Sequence, residues 1–199
     1  MTMHHAHCKL RVMAKRLFVA IDPPDSIREA LRALDPKLPG MKWVSPKQMH
    51  LTLGFFGSAP PEALEDLKKR VSAIRFGSFF LPLQGLGAFP AKGPPKIIWI
   101  GIGKGHPHLF QIHKRVQEAA INSGLEPDLR PWHPHVTLAR CRDVSRQAAR
   151  TLLGGEREAE IGMFPVPAFH LYSSQLTPAG AIYTCELTVD ASHSLPAAS

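Results

Sequence analysis

The stretches MHLTLGFFG (49–57) and PHVTLARC (134–141) share one pattern: a histidine, an apolar residue, a threonine and a leucine. Side chains of a β-strand alternate between its two faces. Each stretch therefore predicts a strand that displays an imidazole and a hydroxyl on the same face: His50 with Thr52, and His135 with Thr137. Core packing does not require the same polar pair twice, so the repeat favours a functional site built from both strands.

The opposite faces of these strands are apolar. In the first stretch, alternation predicts that Leu51, Leu53 and Phe55 point into the core. In the second, Val136 and Leu138 take the corresponding places. Each strand is thus expected to be anchored by its apolar side while its polar pair faces a cleft.

Outward from the two stretches, hydrophobic periodicity predicts alternating strands and helices. Strands are predicted at 16–22, 49–57, 79–89, 96–102, 135–141, 169–176 and 181–189. Amphipathic helices are predicted at 26–38, 60–74, 109–124 and 145–153. This order indicates an α+β fold. The histidine motif recurs after 85 residues, which is too long for a solenoid repeat and points to a duplication that gives two similar lobes facing one another.

Residues 15–190 are expected to form one bilobal domain, between a disordered leader at 1–14 and a frayed tail at 191–199. No hydrophobic period begins before Leu17, so the leader is excluded from the fold. Its histidines and Cys8 resemble a metal cluster, but an irregular leader is the preferred interpretation, and Met13 is an alternative natural start.

The composition is that of a folded, basic protein, with 44% hydrophobic residues and a formal net charge of +8. Such a balance favours a polyanionic partner, although charge alone does not define a reaction. The three cysteines form no close motif, which suits a reduced cytoplasmic protein better than a disulfide scaffold. No segment reaches the ~20 apolar residues that a membrane span needs, so a cytoplasmic monomer without membrane contact is expected.

Paired imidazoles suit the opening of a cyclic phosphodiester by in-line attack. One group takes a proton from the attacking water while the other, across the phosphate, gives a proton to the departing oxygen. Imidazole titrates near ~6.5, so one ring can be neutral and the other cationic at neutral pH. The hydroxyls of Thr52 and Thr137 can donate to the non-bridging phosphate oxygens, where negative charge builds up.

The two motifs resemble the paired signatures of the two-histidine (2H) phosphoesterase superfamily, and within it the RNA 2′,3′-cyclic phosphodiesterases, also described as 2′-5′ RNA ligases. The stretches KRLFVAID (15–22) and SSQLTPAGAIY (173–183) are similar to further parts of that family. The resemblance covers about residues 15–190. It implies a bilobal α+β fold around a central cleft, and RNA with 2′,3′-cyclic phosphate ends as the partner, with tRNA fragments among the candidates.

The resemblance also implies roles for single residues. His50 would be the proton donor and His135 the proton acceptor, with a 2′-phosphate as product; the residues by themselves do not decide which histidine plays which part. Arg140 stands where the family tends to have arginine. Strict alternation turns Arg140 away from His135, so a substrate contact requires a bulge or a strand end. Phe56 is the second candidate substrate contact, as a face for a base, although an aromatic residue beside LTLGF is more often part of the core.

Competing motifs carry less weight. GIGKGHPH (101–108) lacks the first glycine of a phosphate-binding loop, and Gly105 stands where serine or threonine would bind magnesium. A zinc site is suggested only by scattered histidines, without the carboxylates or paired cysteines that usually accompany them: His106, His108, His113, His133 and His135. For His133, a supporting or surface role is the preferred interpretation. No metal and no cofactor are therefore predicted.

Three functions stay open at this point. The leading one is hydrolysis of RNA 2′,3′-cyclic phosphate ends. The second is 2′-5′ joining of RNA ends, in which the same histidines run the reverse reaction with a 5′-hydroxyl in place of water. The third is a basic RNA-binding module without catalysis, which the two intact histidine–threonine pairs disfavour.

The two-histidine scheme predicts that turnover of a 2′,3′-cyclic phosphate is unchanged by EDTA, because proton transfer and charge stabilisation both come from side chains. A metal-dependent enzyme would instead lose its activated water or its Lewis acid. The measurement is the initial rate with and without chelator, followed by addition of zinc or magnesium. Activity that disappears in EDTA and returns with metal contradicts the scheme.

Overall fold

The structure is a computed structural model that describes residues 15–103, 107–126, 128, 130–145, 147–148, 160–177 and 180–192. The strands in these ranges are β1 (Lys15–Ile21), β2 (Met41–Trp43), β3 (Leu51–Ala59), β4 (Phe79–Gln84), β5 (Leu86–Phe89), β6 (Ile97–Gly101), β7 (His135–Cys141), β8 (Glu160–Val166), β9 (Ala168–Thr177) and β10 (Gly180–Asp190). The helices are α1 (Asp25–Ala33), α2 (Pro61–Ser72) and α3 (Pro107–Asn122), with a 3₁₀ turn at Pro46–Gln48. The α+β class is confirmed.

The two motif strands lie side by side in the middle of one antiparallel sheet. The strand order is β10-β9-β1-β3-β7-β6-β5, with β2 also paired to β7. β3 and β7 meet at the pair Leu51 and Val136. Each motif strand has a second strand on its outer side, β1 beside β3 and β6 beside β7. The two similar halves are therefore confirmed, and they share a single sheet.

The buried core lies behind the motif strands. Leu51, Leu53, Val136 and Leu138 are fully buried, as their alternation with the polar pair predicts. Helices α2 and α3 close this side with apolar residues at helical spacing, as Leu64, Leu67 and Val71 do on α2. Within the described part of the chain, no helix has the length and apolar character to span a membrane.

Alternation breaks in β3 immediately after Thr52. On β1, Ala20 opposes Thr52 while its neighbour Val19 opposes Gly54, so Leu53 is an extra residue in β3. An extra residue reverses the faces of the residues that follow it. Phe55 is consequently 38% exposed on the polar side, and the prediction that it points into the core is wrong.

Strand β7 contains the equivalent irregularity. On β6, Trp99 opposes Thr137 while its neighbour Ile98 opposes Ala139, which leaves Leu138 as the extra residue. Ala139 is therefore buried behind Leu138, and Arg140 emerges on the exposed side. The bulge that Arg140 needs in order to share a face with His135 is present.

Other boundaries differ from the sequence predictions for local reasons. The stretch 79–89 is two strands, because Gly85 adopts a φ of 80° between β4 and β5. β2 has only three residues, and β8 contains Gly162 and Pro165, so neither has the periodicity that predicts a strand. The predicted helix at 145–153 lies mostly outside the described residues.

The chain ends also bear on the predicted boundaries. The tail expected to fray from residue 191 is still bonded at its start: the Ala191 amide donates to the Pro167 carbonyl at 2.7 Å and the Ser192 amide to the Phe76 carbonyl at 2.8 Å. The leader at 1–14 and the last residues from 193 onward lie outside the described ranges.

The bulge in β3 predicts a specific cost for Gly54→Ala. A methyl group there would lie 2.6 Å from the Phe56 ring and 2.8 Å from Gln117 Nε2. Overpacking of this kind destabilises by about 1–3 kcal/mol. The free energy of unfolding in urea measures it, with Ser58→Ala on the exposed side of the same strand as a control expected within ~0.5 kcal/mol of wild type. Equal stability of the two variants would show that the bulge has room to relax.

Candidate active site

A cleft of about 810 Å³ lies on the polar side of β3 and β7. This volume lies within the usual range for small-ligand sites. The cleft is lined by all four residues of the two motifs and by Arg140, as well as by Arg16, Phe18, Lys42, Gln48, Phe55 and Tyr183. The structure thus brings together five of the six site residues that the sequence predicts.

The pairing of β3 with β7 interleaves the two motifs. Because the strands are antiparallel and Leu51 opposes Val136, His50 lies on the side of Thr137, and Thr52 lies on the side of His135. The imidazoles are close enough for the charge of His135 to lower the pKa of His50. Each imidazole is therefore accompanied by the hydroxyl of the other motif.

Backbone carbonyls orient both imidazoles. The His135 Nδ1 atom lies 2.6 Å from the His133 carbonyl oxygen. A carbonyl only accepts, so Nδ1 carries the hydrogen and Nε2 is left for proton exchange. The His50 ring is likewise hydrogen-bonded to the Gln48 backbone. In both motifs the partner is the residue two positions before the histidine.

Aromatic side chains hold the rings from the sides. Phe18 stacks on His50 with centroids 5.0 Å apart, and Tyr183 meets the same imidazole edge-on at 5.5 Å. His135 lies between Phe89 at 5.2 Å and Trp99 at 5.9 Å. These contacts restrict both imidazoles to narrow ranges of orientation.

Burial shifts the titration of both histidines in the same direction. It lowers the pKa of His50 to about 4, against an opposing effect of the Asp22 carboxylate. It also lowers the pKa of His135, while the hydrogen bond to the His133 carbonyl acts in the opposite direction. Both imidazoles are therefore neutral at pH 7 in the unliganded protein.

Asp22 belongs to a network behind His50 that sequence reasoning missed. The Tyr172 hydroxyl donates to Asp22 Oδ2 at 2.7 Å, and Arg28 Nη2 lies 3.2 Å from the same oxygen. Burial and this hydrogen bond raise the pKa of Tyr172, so its hydroxyl stays protonated as a donor. Asp22 directly follows β1, and only its place at the end of KRLFVAID (15–22) could have drawn attention to it.

The expectation that Phe56 offers a face to a base is wrong. Phe56 is 6% exposed and belongs to the core, because the irregular pairing of β3 with β1 turns it inward. Its neighbour Phe55 lines the cleft instead, with the Arg16 guanidinium carbon 5.1 Å from its ring centroid. Phe55 and Arg140 thus hold equivalent positions in the two halves, five residues after each motif histidine.

The backbone carbonyl groups at the β3 bulge accept hydrogen bonds from three side chains. Trp132 Nε1 donates to the Thr52 carbonyl at 3.1 Å. The Leu53 carbonyl accepts from His113 Nδ1 at 2.7 Å and from Gln117 Nε2 at 3.2 Å. The rings of His113 and Trp132 are stacked at 3.8 Å. These three side chains fix the backbone that carries Thr52 and are a structural anchor of the site.

The histidines of the zinc alternative do not converge. His113 is hydrogen-bonded to the Leu53 carbonyl at the β3 bulge, and the His133 ring packs against Trp99 with centroids 4.5 Å apart. Among the described residues, no group of three histidine, cysteine, aspartate or glutamate side chains is placed to hold a metal ion. His106 lies outside the described ranges.

Two histidine–threonine strands that meet in one cleft define a two-histidine phosphoesterase site. The family model of LigT like phosphoesterases matches residues 21–99 and again residues 101–183, one match in each half of the sequence. The chain belongs to this family.

Relatives support the same conclusion. The RNA 2′,3′-cyclic phosphodiesterase of Aeropyrum pernix is 35% identical over 155 residues, which cover 77% of this chain and 88% of that protein. The one of Archaeoglobus fulgidus is 34% identical over 171 residues, covering 84% and 96%. The crystal structure of E. coli LigT complexed with 3′-AMP superposes with a TM-score of 0.76 at 27% identity, over 90% of this chain and 99% of that chain.

The anchor below β3 predicts the effect of Trp132→Phe. This change keeps an aromatic ring against His113 and removes the hydrogen bond to the Thr52 carbonyl. The free energy of unfolding should fall by about 1 kcal/mol, and amide exchange should become faster at the β3 bulge. Trp43→Phe is a matched control, since Trp43 lies on β2 and its Nε1 donates to the Leu31 carbonyl, not to the β3 bulge. Unchanged exchange at the bulge in Trp132→Phe would contradict the anchoring role.

Proposed function

We propose that this protein hydrolyses 2′,3′-cyclic phosphate ends of RNA to 2′-phosphomonoesters by metal-independent general acid and base catalysis. The observation that carries the proposal is the junction of β3 and β7, which brings both histidine–threonine pairs into one cleft. The relatives from A. pernix and A. fulgidus, named RNA 2′,3′-cyclic phosphodiesterases, supply the substrate class.

In the proposed reaction, the cyclic phosphate lies between the two imidazoles. His135 Nε2 takes a proton from water as the water oxygen attacks phosphorus. The bond between phosphorus and the 3′-oxygen breaks, and His50 gives that oxygen its proton. Thr52 and Thr137 donate to the non-bridging oxygens, and Arg140 offsets the charge that builds up on them.

His50 must be protonated to act as the donor, although burial lowers its pKa to about 4 in the free protein. A bound phosphate places a negative charge beside the ring, which favours the imidazolium form. The Asp22 carboxylate acts in the same direction. Binding of the substrate therefore favours protonation of His50, and His50 later gives this proton to the leaving oxygen of the substrate.

Two other functions can be considered for the same site. With a 5′-hydroxyl of a second RNA in the place of water, the reverse reaction joins RNA ends through a 2′-5′ bond, and product analysis separates the two outcomes. A module that only binds RNA has no need for interleaved acid and base pairs. The proposal includes tRNA fragments among the substrates and action as a monomer. It also places the protein in the cytoplasm, a reducing compartment with which the free thiols of Cys141 and Cys185 agree.

The proposal predicts that His50→Ala and His135→Ala each lower kcat by about 10²–10⁴ on an oligoribonucleotide ending in 2′,3′-cyclic phosphate, because each removes one proton transfer. Chromatography and ³¹P NMR identify the product, expected to carry a 2′-phosphate. His170→Ala is a matched control. His170 lies on β9, its imidazole is hydrogen-bonded to Thr188 Oγ1 on β10, and it does not line the cleft. Turnover by either motif variant at the wild-type rate contradicts the mechanism, and a 3′-phosphate product contradicts the assignment of the leaving oxygen.

The lowered pKa values of both histidines predict a bell-shaped dependence of kcat/KM on pH. Its maximum should lie below ~6.5, because this parameter reports the free protein and both imidazoles lose their protons more readily than ordinary histidine. The apparent pKa values belong to the coupled pair. Since the bound phosphate stabilises the imidazolium form, the alkaline limb of kcat should lie at higher pH than that of kcat/KM.

Asp22→Asn tests the same electrostatics. The amide oxygen still accepts from Tyr172, but the negative charge that raises the pKa of His50 is lost. The maximum of kcat/KM should therefore fall and move to lower pH, because less His50 is protonated at every pH. An unchanged profile would show that the Asp22 carboxylate does not influence the proton on the donor.

A further inference from the structure

One end of the cleft holds two cationic side chains directly opposite each other. Lys42 of β2 pairs with Arg140 of β7 in the antiparallel ladder, and both side chains line the cleft. Like charges in directly opposed positions destabilise a sheet. A feature of this kind calls for a compensating anion.

The described part of the chain supplies no such anion. Its ion pairs within 4.0 Å involve neither Lys42 nor Arg140. No aspartate or glutamate is among the described residues that line the cleft. The two positive charges are therefore left for a ligand.

In the proposed reaction the phosphate lies between His50 and His135, at a distance from both cations. Position 140 is five residues along β7 from His135, roughly 16 Å at a strand's rise per residue. An arginine side chain is long enough to reach back toward the motif. Lys42 lies on β2, which pairs with the end of β7 on the same edge that β3 uses at Val136, and it borders this end of the cleft, where a second anion would lie.

We propose that Lys42 forms a second phosphate subsite, which binds the phosphodiester on the 5′ side of the terminal nucleotide. The inference rests on the proposed function, because that function puts the cyclic phosphate between the histidines and Arg140 beside it. The protein then favours an RNA chain over a cyclic mononucleotide, since only the chain carries the second negative charge. Lys42 is a binding residue and takes no part in the proton transfers.

Three substrates separate this subsite from the reacting centre. They are a mononucleotide 2′,3′-cyclic phosphate, a dinucleotide with the same cyclic end and a natural linkage, and the same dinucleotide with an uncharged methylphosphonate linkage. Lys42→Gln should lower kcat/KM about tenfold or more on the natural dinucleotide, the size expected for a lost hydrogen bond to a charged group. On the other two substrates the change should be under about twofold.

Two further variants complete the test. Lys42→Arg should restore most of the preference for the natural dinucleotide. Lys69→Gln removes one positive charge from the exposed side of α2 and should leave all three substrates unaffected. In Lys42→Gln the dependence of dinucleotide binding on salt should also become shallower by about 0.7 in log–log slope, the value for one phosphate of a single strand.

Two results overturn the subsite. An equal loss on mononucleotide and dinucleotide would mean that Lys42 contacts the reacting phosphate, and no loss on either would mean that it contacts none. If the wild-type protein opened none of the three substrates, the proposed function would fail by itself. Lys42 would then be judged by calorimetric binding of a dinucleotide 3′-monophosphate and its methylphosphonate counterpart, for which the same tenfold difference is expected.

Discussion

A single antiparallel contact, between Leu51 of β3 and Val136 of β7, is the constraint on which the site depends. It lies one residue after each motif histidine, so it sets both imidazoles and both hydroxyls at the same level of the sheet. A slip of one residue in either strand would exchange its polar and apolar faces and bury the histidine. The buried leucines and valine at this junction therefore determine the geometry of the cleft as well as stability.

The two bulges add what alternation alone cannot provide. Each brings the residue five places after the histidine into the cleft, Phe55 in one half and Arg140 in the other. The halves satisfy the bulged backbone differently: the Leu138 carbonyl accepts from the Val44 amide, whereas the Leu53 carbonyl is held by side chains of α3. The pseudo-symmetry therefore ends just beyond the motifs. There one half contributes an aromatic ring to the cleft and the other half a cation, so the two ends of the cleft differ chemically.

The sequence predicts the parts of the fold and site that depend on local pattern. The bounds of β7 and the shared face of His135 and Thr137 follow directly from alternation. The exchange of Phe55 and Phe56 does not, because a bulge is set by the pairing with β1, and the sequence carries no mark of where it falls. Asp22 and Trp132 were missed for a related reason: they meet the site through contacts distant in sequence, with Tyr172 and the Thr52 carbonyl.

The strand order also governs when the first motif can be completed during synthesis. β1 lies between β3 and β9, and its pairing with β9 joins residues as far apart as Arg16 and Ser174. Translation releases β1, β3 and β7 well before β9, so the nascent chain carries an open strand edge on β1 until β9 leaves the ribosome. Tyr172 and Tyr183, which flank Phe18 and His50, arrive with that segment. The two similar halves are therefore not independent folding units, and a chain truncated before β9 lacks the tyrosines that flank His50.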